Sequence, residues 1–172
     1  MNKTEAFQYL DSQQDFLFHT SDSIWDNPET DYHEEKSSAI LKNALTEAGF
    51  TVQSGLAGIP TAFSGSYGSG KPVIGFLGEF DALSGLSQEA GITEKKPIAE
   101  GGNGHGCGHN LLGTGSLAAA IAVKKYLEAS GKPGTVIFFG CPAEEGGSGK
   151  AFMAKAGVFD GVDIALSWHP NN

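Results

Sequence analysis

Apolar positions along this chain fall into two rhythms, one helical and one extended, and they alternate. Phe7, Leu10, Phe16 and Phe18 make a loose helical stripe that predicts a helix over 4–19. Ile40, Leu41, Ala44, Leu45 and Ala48 recur at three- and four-residue spacing, and Gly49 stands where a left-handed cap belongs, so 33–48 is predicted helical. Leu111, Leu112, Leu117, Ala118, Ile121, Ala122, Tyr126 and Leu127 predict a long helix over 110–129, closed by Gly131. A shorter helix is expected over 148–157. Extended segments are predicted at 51–53, 59–63, 72–77, 135–139 and 164–168, and the wholly apolar run at 135–139 reads as a strand buried on both faces. The serine- and glycine-rich run 64–70 reads as a turn, and 84–106 as a long loop.

Helices alternating with strands predict an α/β fold, a three-layer α/β/α sheet of parallel strands with helices on both faces. In such sheets ligands bind outside the carboxyl ends of the strands. Strand 72–77 runs out into Glu79 and Asp81, strand 135–139 into Cys141, Glu144 and Glu145, and strand 164–168 into His169. Beside them the run Gly101-Gly102-Asn103-Gly104-His105-Gly106-Cys107-Gly108-His109 delivers a thiol and an imidazole to the start of the long helix. Carboxylates, a thiol and imidazoles ending neighbouring elements outline a metal site. A helix N-terminus there is expected to favour the thiolate that metals bind.

Each motif has a plainer reading: a packed Cys with a hydrogen-bonded His, a solvated acidic loop, a structural His at a strand end. Convergence on one sheet edge outweighs them. Glu79 and Asp81 lie two apart on an extended stretch, so one of them is expected to face the centre, and Asp81 is chosen. Cys141 is expected to be a packed small residue, His105 a structural or substrate-side group, and His19 and His33 ordinary surface residues. Gly65–Lys71 imitates a phosphate-binding loop, but Pro72 replaces the Ser or Thr and a strand follows.

Composition narrows the picture. Lys and Arg number 11 against 20 Asp and Glu, a formal net charge of −9, so nucleic acid is not an expected partner. No apolar run approaches the ~20 residues that cross a membrane. Two cysteines cannot build a disulfide framework, which points to a reducing, cytoplasmic setting. Glycine makes up 25 of 172 residues, and its clustering before Cys107 marks sharp backbone turns rather than low complexity.

Gly78-Glu79-Phe80-Asp81-Ala82-Leu83, Gly106-Cys107-Gly108-His109-Asn110, Pro142-Ala143-Glu144-Glu145-Gly146 and Trp168-His169-Pro170, in this order and spacing, resemble the dinuclear metallo-amidohydrolases related to aminoacylase and carboxypeptidase. The similarity is to the branch with a Cys ligand that includes the auxin-conjugate hydrolases, and it runs from Trp25 onward. The resemblance implies that Cys107, His109, Glu145 and His169 hold two divalent ions, Zn or Mn, that Glu144 is the general base, and that Asp81 supports the centre from behind. It implies hydrolysis of an amide bond in an N-acyl or aryl amino acid such as an aminobenzoyl-glutamate-like substrate. It also implies a homodimer or a paired subunit. Relatives of this kind are longer. The chain is therefore expected to be the N-terminal segment of the catalytic domain, without the inserted lid and dimerisation domain or the last His ligand, and weak as a hydrolase by itself. Two other readings compete: a thiol hydrolase using Cys107 with His109 or His105, and a metal-binding or interaction remnant without turnover.

Overall fold

The strand predicted from the apolar run near residue 137 lies at the middle of the molecule, and both of its faces are covered. The computed structural model describes residues 1–171. Six helices, α1 (Lys3–Asp11), α2 (Gln14–Trp25), α3 (Glu35–Glu47), α4 (His109–Ser130), α5 (Glu144–Gly147) and α6 (Gly149–Lys155), surround five strands, β1 (Thr51–Ser54), β2 (Phe63–Ser69), β3 (Val73–Gly78), β4 (Gly134–Gly140) and β5 (Ile164–Leu166). The strands form one sheet in the order β1-β2-β4-β3-β5. β3 pairs in parallel with β4 and β5, whereas β1–β2 and β2–β4 are antiparallel. The sheet is thus mixed, and the all-parallel expectation is corrected: β2 and β1 turn back along β4 instead of crossing over it.

Alternation along β4 divides the core. Val136 and Phe138 point toward α2, α3 and α4 and pack with Ile24, Leu41, Leu45, Phe63 and Leu117. Ile137 and Phe139 point to the opposite face, where Met153 of α6 and Cys141 are fully buried. Burying such side chains supplies about 1.5–3 kcal/mol each, an upper estimate because unfolded chains are already partly collapsed.

Three predicted elements differ. The run 64–70 is strand, because β2 pairs with β4 residue for residue from Phe63 to Ser69. Its glycine at 65 is needed for packing: a Cβ there would lie 2.9 Å from Leu45 Cδ1 of α3. The strand expected over 59–63 is instead a turn after the 3-10 helix Leu56–Gly58, and only Phe63 belongs to β2. The helix predicted over 4–19 is broken at Ser12–Gln13, where the Gln13 N–H bonds to Leu10 O and the Ser12 hydroxyl to Tyr9 O. β5 is a short edge strand with all three residues exposed. Among the described residues no helix is long and apolar enough to cross a membrane.

Candidate metal centre

The parallel strands β3 and β4 end side by side at Gly78 and Gly140, and the chain beyond each turns toward the first turn of α4. His109 is the first residue of α4 and follows Gly108, whose left-handed backbone (φ 74°) bends the loop into the helix. Its ring is fully buried. On one side Nδ1 lies 2.8 Å from Asp81 Oδ1 and 3.1 Å from Asp81 O, which fixes Nδ1 as a donor. On the other, Nε2 faces Glu79 Oε2 at 3.1 Å, with Glu144 Oε2 and Glu145 Oε1 each 3.9 Å away.

Sequence alternation predicts that Asp81 alone turns inward. Both acids reach His109, because β3 stops at Gly78 and strand alternation does not govern the residues beyond it. The choice of Asp81 alone is therefore corrected: Glu79 faces the centre as well. Its other oxygen, Oε1, pairs with Lys150 Nζ.

Glu144 and Glu145 open α5, a single turn bracketed by Ala143 and Ser148, both with left-handed backbone (φ 52° and 54°). Non-glycine residues held there cost roughly 1–2 kcal/mol each, so the surroundings must impose the turn. Asp81 Oδ2 accepts the Glu145 N–H at 2.9 Å. Glu34 Oε1 accepts the Ala143 N–H at 2.8 Å and the Tyr32 N–H at 3.1 Å. The Tyr32 hydroxyl donates to Gly147 O, and Glu29 O accepts the Ala82 N–H at 2.8 Å. Residues 29–34 thus brace both acidic segments.

His169 arrives from the β5 side. Trp168 Nε1 donates to Leu112 O at 3.2 Å, and the Trp168 ring lies on Gly115, where a Cβ would come within 2.5 Å of Cζ2. Seated in this way, the strand end brings His169 Nε2 to 3.3 Å from Cys107 Sγ. The His169 and His109 ring centroids are 5.5 Å apart. Donor atoms of Cys107, His109 and His169 lie within 4.8 Å of one another, as do those of Glu79, His109 and Glu144.

Electrostatics agree with a site shaped for cations. Burial alone would raise Asp81, but its hydrogen bonds to His109 and the Glu145 N–H outweigh that and hold the carboxyl below its usual range. Burial alone would lower His109, but Asp81, Glu79 and Glu145 raise it above an ordinary histidine. The Cys107 thiol is pushed up to about 12 by burial and by Glu145, Glu144 and Glu79. The thiolate expected from a helix N-terminus is thus overruled by the acids around it. A thiol hydrolase needs that thiolate without metal; a thiol surrounded by acids becomes a ligand only when a cation compensates.

The donor set fits divalent ions. His109 Nε2, Glu79 Oε2 and Glu145 Oε1 are all buried and lack a hydrogen-bond partner. Unsatisfied buried polar atoms are costly, and a cation satisfies all three. Outside this cluster, His105 is buried and bonds Ile24 O at 3.1 Å, a structural placement, and burial lowers its basicity. Cys141 is fully buried and packs with Ala62, Phe139 and Met153.

Residues 75–172 match the family model described as Peptidase family M20/M25/M40. A subunit of the p-aminobenzoyl-glutamate hydrolase of Escherichia coli (strain K12) is 61% identical over 150 residues, covering 87% of this chain and 31% of that protein. The Xaa-Arg dipeptidase of Mus musculus is 32% identical over 182 residues, covering 98% of this chain and 38% of that protein. A Bacillus subtilis structure described as a dinuclear metal binding peptidase from the M20 family superposes with a TM-score of 0.78 at 21% identity, covering 94% of this chain and 44% of that one. The chain spans about a third of the length of the curated relatives it matches.

Proposed function

Because this chain belongs to peptidase family M20/M25/M40, we propose that it forms the N-terminal segment of the catalytic domain of a metal-dependent amide hydrolase. Its substrate class is an N-acyl or aryl amino acid of the aminobenzoyl-glutamate kind, on the strength of the 61% identity to a hydrolase subunit of that name. Cys107, His109, Glu145 and His169 would hold two divalent ions, Zn or Mn; a thiolate donor leans toward Zn, carboxylates permit Mn. When bound, such ions lower the pKa of water and polarise an amide carbonyl.

This chain's own residues do the rest. Glu144, the more exposed of the adjacent acids, accepts a proton from the attacking water and passes it to the departing amine. Asp81 fixes the His109 tautomer through Nδ1 and fixes the Glu145 backbone through its second oxygen. One observation carries the reading: the buried Nε2 of His109 has no hydrogen bond and is ringed by Glu79, Glu144 and Glu145. The Escherichia coli relative is named as one subunit of its hydrolase, which favours a paired subunit as partner, and the paucity of cysteines favours the cytoplasm.

A chimera tests this. The chain replaces the matching N-terminal part of the Escherichia coli protein, expressed with its partner subunit, and hydrolysis of p-aminobenzoyl-glutamate is followed. Chelator-sensitive turnover, abolished by Glu144→Gln, is expected. A folded chimera without turnover, or one whose turnover survives chelation or Glu144→Gln, refutes the assignment.

A further inference from the structure

We propose that Glu79 is itself a donor to the divalent-ion centre, held on station by Lys150. This rests on the divalent-ion reading above and adds a residue to it. Glu79 is buried to 5% exposure, and its two oxygens have separate fates. Oε1 is taken by Lys150 Nζ, which anchors the carboxylate from α6, while Oε2 is buried and has no hydrogen bond.

The position of Oε2 decides between two roles. An acceptor of a His109 Nε2–H hydrogen bond would lie along the ring's N–H direction, and bonds weaken steeply off that axis. Here the two atoms are 3.1 Å apart, yet neither has a hydrogen-bond partner. Close but off-axis is how two donors sit about one shared ion. With bonds of about 2.1 Å to nitrogen and oxygen, a 3.1 Å separation subtends about 95° at the ion. That angle suits six-coordinate and distorted four-coordinate centres. Glu144 Oε2, 3.9 Å from the same nitrogen, subtends a wider angle of about 135° on the same bond lengths. Glu79 is therefore the carboxylate nearest His109 Nε2, nearer than either acid of α5, and Glu144, the more exposed of those two, stays available for proton transfer. Lys150 matters because it neutralises part of a four-acid cluster and stops Glu79 from swinging out to solvent.

Isothermal titration of the chelated chain with Mn²⁺ and with Zn²⁺ tests the assignment. Wild type is compared with Glu79→Gln, which removes the charge, and Glu79→Asp, which keeps the charge and shortens the arm. Both variants are expected to lose at least about 100-fold in affinity for one ion, beyond the usual effect of an outer-shell change. Binding within threefold of wild type in Glu79→Gln, or in Glu79→Asp alone, overturns a donor role; the second result would mean that charge suffices. If wild type takes up neither ion, the reading of the whole site fails and this one with it. Should the variants not fold, anomalous scattering from a Mn²⁺-soaked wild-type crystal decides. A peak within bonding distance of Glu79 Oε2 supports the assignment, and a peak more than about 3.5 Å away overturns it.

Discussion

Glu34 should hold the turn that carries Glu144 and Glu145 in place through two hydrogen bonds, and its substitution separates those bonds from the cost of its buried charge. The side chain is fully buried. Its Oε1 accepts the N–H groups of Ala143 and Tyr32, while Oε2 lacks a hydrogen bond and the Thr61 hydroxyl lies beside it. Glu34→Gln keeps an acceptor for both N–H groups and removes the charge. Glu34→Leu removes charge and acceptor together. Stranding the buried Ala143 N–H costs about 1–3 kcal/mol, and the half-buried Tyr32 N–H adds about 0.5–1. The Leu variant should therefore be about 1.5–4 kcal/mol less stable than the Gln variant, or roughly 3–16 °C in melting temperature for a chain of this size.

The comparison with wild type depends on pH. Burial raises Glu34 above its ordinary value of 4.5 in the folded chain. As pH climbs from about 4.5 toward the raised value, the unfolded chain loses its proton first, so wild type loses stability across that window. The Gln variant, which cannot titrate there, should gain on wild type as pH rises from 4 to 7. Thermal unfolding by circular dichroism with chelator present, at both pH values, measures each difference. Equal melting temperatures for Gln and Leu would refute the bracing role of these hydrogen bonds.

Two further outcomes are expected from the same geometry. Chelated protein should alkylate slowly at Cys107 at neutral pH and faster as pH rises toward 12, because the thiol is held protonated; rapid alkylation at pH 7 would show an activated thiolate and revive the thiol-hydrolase reading. Gly113→Ala should destabilise by about 1–3 kcal/mol and weaken ion binding, because its Cβ would lie 2.6 Å from the Glu79 carbonyl oxygen and α4 must shift away from β3; a melting temperature and ion affinity equal to wild type would contradict it.

Elements are legible in the sequence where their signal is local. The long helix α4 carries its own period, and β4 declares itself by an apolar run whose neighbours Phe138 and Phe139 serve opposite faces. The strand β2 carries no such mark: Gly65 is needed for close approach to α3, Ser64 to Ser66 pair with a strand on each side, and Gly68 lies against the Gly134 carbonyl of β4, which only the assembled sheet reveals. The acids after β3 and β4, with Cys107, His109 and His169, can be picked out by type and by position at element ends. Glu79 is picked out in the same way but set aside in favour of Asp81, because alternation loses its meaning past Gly78, where the strand stops. Glu34 looks like a solvated acid at a helix start; its role emerges only when Ala143, 109 residues away, donates to it.

Segments following three strands, together with the first turn of α4, should assemble a binding site for divalent ions around His109. Native mass spectrometry of the chain, chelated, reloaded with Zn²⁺ or Mn²⁺ and desalted, counts the ions bound. Two bound ions per chain are expected, with fewer in His109→Ala and in Glu145→Gln. A wild-type chain that retains no more metal than these variants would contradict this.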